Sequence, residues 1–282
     1  MKAPNQIKHA IIVLGREGNE LFDGIGDLDW QELPAGGRAA FAVISPALPQ
    51  GNIASAEAYL RIRDTKRDRI FMNGYQTWTY CPEYTVKDRI RGLNGLPKAV
   101  VKAFALDRYG DYHFVDYPNK RGVLHGVSYC YFRSGERFLL IASLSEQNGY
   151  TLFRYDADEE LLTVRRDCEG LKCGGSFAAF ELFIAEGAED EVFDAWFAAM
   201  NVSPITAERI TGYSSWYNRY QHITEETILE DLSGCAKIMR GGELFQIDDG
   251  WEPAVGDWLE ADRKKFPNGM KAAAGAIHNN GY

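Results

Sequence analysis

The hydrophobic period of this chain changes once, near Glu186, and that change limits what it can fold into. Before it, apolar residues alternate with polar ones. Ala56, Ala58, Leu60 and Ile62 fall on one face of Ala54–Arg63, and Glu57, Tyr59, Arg61 and Arg63 on the other, the period of a half-buried strand. Further strands are expected at Ile7–Leu14, Arg38–Ile44, Ala99–Asp107, Tyr112–Tyr117, Val123–Phe132, Phe138–Ser143, Tyr150–Tyr155, Leu161–Arg166 and Ser176–Ala185. Short polar or glycine-bearing turns separate most of them, and no helical period intervenes. Such a series predicts an antiparallel β-sandwich over residues 1–188.

After Glu186 the spacing becomes helical. Val192, Phe193, Trp196, Phe197 and Met200 make one stripe behind the acidic start Glu189–Glu191. Pro204 disfavours helix in the residue before it, so residues 189–204 read as a connecting helix. From residue 205 to 282 the order is strand, helix, strand, helix. Ile210–Tyr217 is the first strand. Thr224 caps the following helix, with Glu225 and Glu226 where the helix dipole favours acids. Its buried stripe is Ile228, Leu229, Leu232, Ala236 and Met239, and Gly241-Gly242 ends it. Glu243–Ile247 is the second strand, and a last helix carries Met270, Ala273, Ala274 and Ile277 on one face. This βαβα alternation implies a parallel sheet. Two βα units cannot close a barrel, which needs eight and about 250 residues. The chain therefore reads as the front part of a longer enzyme.

The net charge of -9 argues against a nucleic-acid backbone as partner. Five cysteines, at 81, 130, 168, 173 and 235, are odd in number and lack zinc-type spacing, which predicts free thiols, no metal and a cytoplasmic location. The first twenty residues hold no signal-peptide pattern, and no apolar run approaches a membrane span. No cofactor motif is present. The five histidines, at 9, 113, 125, 222 and 278, are scattered and read as structural or surface residues, and Lys264-Lys265 as a solvated charge pair.

The stretch ELFQIDDGWEPAVGDW, Glu243–Trp258, concentrates chemistry. A buried strand there delivers two carboxylates, Asp248 and Asp249, then a glycine and a tryptophan. Active sites of (β/α) barrels sit at that end of their strands. Because successive side chains point to opposite faces, Gln246 and Asp248 would face one side, with Phe245 and Ile247 turned onto the helices. Asp249 reaches the same pocket only from just past the strand end, where Gly250 lets the chain turn. The competing reading is a DDG surface turn whose acids cap the backbone.

GYSSWY (Gly212–Tyr217), LFQIDDGW (Leu244–Trp251), GDW (Gly256–Trp258) and KFPNGMKAAAGAIHNNGY (Lys265–Tyr282), with FMNGYQTW (Phe71–Trp78) upstream, resemble in the same order the α-galactosidases of glycoside hydrolase family 36. The resemblance implies an N-terminal β-supersandwich, a (β/α)8 TIM barrel and a small C-terminal β-domain. This chain would hold the first and the start of the second. It implies retaining hydrolysis of terminal α-D-galactosyl groups, which needs two carboxyls about 5–5.5 Å apart. The family's nucleophile and acid/base aspartates lie on the fourth and sixth barrel strands and match no position here. Asp248 and Asp249 match the family's substrate-binding pair, which hydrogen-bonds the galactose hydroxyls.

Three tryptophans join them as substrate-binding residues: Trp216 and Trp251 at strand ends, and Trp78 on a sandwich loop that in the family reaches over the barrel mouth. Trp258 is expected to shape the loop after the second strand. Tyr213 and Ser214 depart from the family's tryptophan and asparagine, which puts the first strand's contribution in question. The expected partner is a small α-galactoside, with no nucleic acid, no membrane and homo-oligomer formation left open. Three alternatives stay beside an α-galactosidase: a transglycosylase of the raffinose-synthase kind, an α-N-acetylgalactosaminidase, and a non-catalytic carbohydrate-binding protein.

Overall fold

The computed structural model describes residues 11–17, 20–26, 30–44, 51–76, 79–108, 110–112, 115–173, 177–202, 209–239 and 243–282. The chain divides into two compact units, Met1–Ser203 and Pro204–Tyr282.

The first unit is built of strands β1 (Ile11–Glu17), β2 (Glu20–Gly26), β3 (Trp30–Glu32), β4 (Arg38–Ile44), β5 (Gly51–Arg61), β6 (Arg69–Met72), β7 (Glu83–Tyr84), β8 (Val123–Val127), β9 (Tyr129–Ser134), β10 (Arg137–Ser143), β11 (Thr151–Asp156), β12 (Leu161–Arg166), β13 (Lys172–Cys173) and β14 (Phe177–Gly187). One antiparallel sheet runs β2-β1-β5-β12-β11-β8, with β13 paired to the start of β5. The other runs β3-β4-β14-β10-β9-β6-β7. The inward residues of both make one core: Ala56, Ala58 and Leu60 from β5, Phe153 and Tyr155 from β11, Phe132 from β9, and Phe180 and Leu182 from β14. Two sheets sharing an interleaved core in this way form a β-sandwich.

The alternation at Ala56–Ile62 is met in full, with all four apolar residues buried. Three expectations are corrected. Ala99–Asp107 is not a strand. Lys98–Ala103 is helix α1, and a short 3₁₀ turn follows at Leu106–Arg108. Its alanines and lysines are strong helix formers, and Val101 N–H closes the first turn onto Pro97 O at 3.1 Å. Among the described residues of Tyr112–Tyr117 there is no strand either. Val123–Phe132 is two strands, because Ser128 adopts φ +66°. The chain there turns from the first sheet (β8) into the second (β9).

Helix α2 (Glu189–Ala199) covers the outer face of the second sheet. Val192, Ala195 and Trp196 pack on Phe138, Leu140, Ala142 and Phe183, and Trp196 Nε1–H donates to Ser143 O at 2.9 Å. His125 is buried within the sandwich, where Tyr117 and Asp111 enclose it. Its Nε2 lies 3.6 Å from Asp111 Oδ2, and its ring meets Tyr117 edge-on.

The second unit holds the parallel pair β15 (Gly212–Ser214) and β16 (Leu244–Gln246), in register Gly212↔Leu244 to Ser214↔Gln246. Between them lie α3 (Trp216–Arg219) and α4 (Glu225–Cys235), and α5 (Met270–Asn279) follows. The first strand is shorter than expected, since Trp216 and Tyr217 belong to α3 rather than to a strand ending at Tyr217. Thr224 caps α4 by accepting Thr227 N–H at 3.2 Å. Ile228, Leu232 and Cys235 of α4 pack with Ala273 and Ile277 of α5 against Phe245 of β16. Leu229, placed in that stripe by its spacing, is 43% exposed.

Candidate functional site

Side-chain parity along β15 and β16 separates a packing face from a polar face. On the first, Tyr213 and Phe245 pair in register with ring centroids 4.7 Å apart, and Ile247 joins them against the helices. The Tyr213 hydroxyl donates to Asp231 Oδ2 of α4 at 2.6 Å, and Arg219 grips the same carboxylate with Nε at 3.1 Å and Nη2 at 2.8 Å. Burial and then the Asp231 bond push the Tyr213 phenol up to about 12. Tyr213 therefore works on the helix side.

The opposite face carries Ser214 and Gln246, and both donate to Asp248 Oδ2, at 3.3 and 2.9 Å. Asp248 Oδ1 accepts the Asp249 N–H at 2.8 Å, and the Asp248 N–H is received by the fully buried Ser215 Oγ at 2.9 Å. Three donors on one carboxylate leave it little freedom. Ser214 thus keeps a polar contact from the first strand, although it stands where the family pattern has asparagine. Gln246 was placed on this face by period alone. Ser215 was not foreseen, and an isolated serine after a strand carries no signal that would have marked it.

The Asp249 carboxylate differs from its neighbour: among the described residues no donor holds it. Gly250 turns the chain immediately afterwards with φ +107°, and a Cβ there would lie 2.6 Å from Gln221 O. Its N–H donates to Glu252 Oε2 at 3.0 Å, and its carbonyl accepts from Lys265 Nζ at 2.7 Å. Lys265 is therefore not the solvated half of a charge pair, because its ammonium also reaches Gln221 O at 3.2 Å.

Trp251 is half-buried beside the helix-side core, its ring 6.4 Å from that of Trp258. Trp216 opens α3 two residues after Ser214, partly exposed and edge-on to Tyr220 at 5.5 Å. Trp78 lies outside the described residues. The structure brings together Asp248 and Asp249, with Ser214, Ser215 and Gln246 around them. Such a cluster offers acceptors to hydroxyl donors and, in Ser214 and Gln246, polar groups for a ligand's oxygens. Among the described residues no group of His, Cys, Asp or Glu is arranged to hold a metal ion, and no helix is long and apolar enough to cross a membrane.

The first unit also carries a cavity of about 530 Å³ beside α1, lined by Leu93, Leu96, Lys98, Val101, Tyr112 and Tyr117 among others. Two of its polar members are already engaged. Asn94 is spent on the Arg91 and Tyr117 carbonyls and Tyr117 on Asp111. The Asp248–Asp249 cluster is the stronger candidate.

No protein-family model matches the chain. Solved structures do. An α-galactosidase from Thermus thermophilus, in complex with p-nitrophenyl α-D-galactopyranoside, is 24% identical over 90% of this chain and 47% of its own, with a TM-score of 0.56. A family 97 glycoside hydrolase from Pseudoalteromonas sp. strain K8 is 10% identical over 98% of this chain and 41% of its own, with a TM-score of 0.53. The family 36 α-galactosidase AgaA from Geobacillus stearothermophilus is 12% identical over the whole chain and 45% of its own, at 0.48. The first two likenesses establish a fold shared with glycoside hydrolases. The chain spans about half the length of the solved enzymes it matches.

Proposed function

We propose that this chain is the N-terminal part of an α-galactosidase-like glycoside hydrolase that removes terminal α-D-galactosyl groups with retention. In this reading β15, α3–α4, β16 and α5 form the first two βα units of a (β/α)8 barrel. Asp248 and Asp249 bind the hydroxyls of the terminal galactose. The observation that carries it is the pair itself: two adjacent carboxylates at the C-terminal end of a parallel strand, one held by three donors and one left open. That is where barrel enzymes place their sites, and family 36 motifs surround it in order.

The physics suits a sugar. A charge-assisted hydrogen bond is worth about 1.5–3 kcal/mol, and a wrong epimer leaves a buried acceptor unpaired. In this reading Trp216, and Trp251 with the part of its ring not packed on the helix-side core, would present apolar faces to the sugar. Trp78 is assigned here on the NGYQTW resemblance. The nucleophile and acid/base carboxyls that a double displacement needs would come from later strands, so residues 1–282 alone would not cleave a galactoside.

The test is hydrolysis of a nitrophenyl α-galactoside by the full-length product, with the anomer of the first product read by NMR. Release of α-galactose supports the reading, and transfer to an added sugar acceptor would move it to a transglycosylase. Binding without turnover by the full-length product would leave a carbohydrate-binding protein.

A further inference from the structure

The two acids are oriented by different means. Asp248 is aimed by three donors to its carboxylate. Asp249 has none among the described residues, so its backbone, which sets the direction of the Cα–Cβ bond, is what places its carboxylate. That backbone runs straight into Gly250, and two charged side chains hold this residue by its two ends.

Glu252 is 6% exposed, and no described cation lies within ion-pair distance of it. A carboxylate so buried and without a counter-ion is costly. Its Oε2 accepts the Gly250 N–H at 3.0 Å. Lys265, which likewise has no described carboxylate in ion-pair reach, gives its ammonium to the Gly250 carbonyl at 2.7 Å and to Gln221 O at 3.2 Å. Lys265 is itself anchored, since its carbonyl accepts the Glu225 N–H at the first turn of α4 at 2.8 Å and Phe266 beside it is fully buried. Gln221 closes the other side, where its backbone fills the space a side chain at position 250 would need.

We propose that Glu252 and Lys265 are positioning residues of the sugar site. They clamp the Gly250 N–H and carbonyl and so fix the direction of the Asp249 Cα–Cβ bond, from which its otherwise unheld carboxylate reaches the ligand. The proposal rests on the assignment of Asp248 and Asp249 to galactose binding. Neither residue needs to touch the sugar, because Glu252 acts through the Asp249–Gly250 peptide and Lys265 through the Gly250–Trp251 peptide.

The experiment titrates the full-length product with methyl α-D-galactopyranoside and its glucose epimer, read by NMR before turnover accumulates, alongside thermal unfolding of each variant. Glu252→Ala and Lys265→Met are expected to weaken galactoside binding by about fivefold or more and to narrow the preference over the epimer. Glu252→Gln, which keeps an acceptor oxygen, and Lys265→Arg, which keeps a cationic donor, should stay within about twofold of wild type. In an Asp249→Ala background, Glu252→Ala should add less than about twofold, because the clamp then has nothing to aim.

If Asp249→Ala weakens binding while Glu252→Ala and Lys265→Met bind as wild type, the clamp is overturned and the sugar site stands. If wild type and Asp249→Ala are indistinguishable, the sugar-site reading itself falls, and the clamp with it. Should Glu252→Ala fail to fold, Lys265→Met decides, since it removes only the ammonium.

Discussion

Ser214 and Asp248 meet at 3.3 Å across the ends of two parallel strands, although 34 residues separate them in sequence. Their contact turns a polar residue on each strand into one acceptor of set direction. Asp249, next along the chain, has no such partner among the described residues.

That asymmetry separates stability from binding. Asp248→Ala removes the acceptor of three hydrogen bonds, two of them part-buried, and should cost about 1–3 kcal/mol, whereas Asp249→Ala should stay within about 0.5 kcal/mol of wild type. In the full-length enzyme both Asp248→Asn and Asp249→Asn are expected to lower kcat/KM by on the order of 10²-fold or more. Urea unfolding and steady-state kinetics on the same variants check this, and equal destabilisation by the two alanines would contradict it.

Gly250→Ala should be poorly tolerated. The residue sits at φ +107°, and an added Cβ would fall within 2.6–2.8 Å of the Gln221 backbone. Strain of this kind costs about 1–3 kcal/mol before the clash is counted. A melting temperature unchanged from wild type would show that the turn has another conformation.

Acid should loosen the second unit through Asp231. Burial raises the pKa of this carboxyl, but hydrogen bonds from Arg219 and then Tyr213 outweigh it and leave the value lowered. A depressed folded pKa contributes stability in full above the unfolded value, about 3.9, which is lost as the pH falls through the lower folded value. Asp231→Asn should therefore be less stable at neutral pH and flatter in its decline below about pH 4. Parallel urea midpoints for both proteins between pH 5 and 2 would refute it.

Trp196 ties α2 to the sandwich. It is 8% exposed and donates to Ser143 O. Trp196→Ala should cost about 3–5 kcal/mol. Trp196→Phe keeps an aromatic ring and leaves the Ser143 carbonyl unpaired, a loss of about 1–3 kcal/mol. Chemical denaturation separates the two, and a negligible cost for alanine would mean that the helix is not docked through this residue.

Much of this was readable from local pattern. The buried face of β5, the cap at Thr224 and the division of β16 into a Phe245 side and an Asp248 side all follow from periods of two or four residues, because neighbouring side chains are bound to one backbone geometry. Ala99–Asp107 misled because its apolar residues also suit a strand. A strand must find a neighbour elsewhere, while a helix closes its own bonds, and here it forms α1 with Val100, and Phe104 just past its end, exposed.

What the sequence alone determined, then, is orientation along each element: which residues share a face, where helices begin, and that two acids follow a buried strand. Tertiary structure decided the partners. Nothing local tells Asp248 that Ser214 and Ser215 will stand beside it, or that Lys265, by composition a surface lysine, will hold the carbonyl of Gly250. Those contacts join elements across an intervening helix or loop, and their geometry exists only once β15, β16 and α4 have packed on one core.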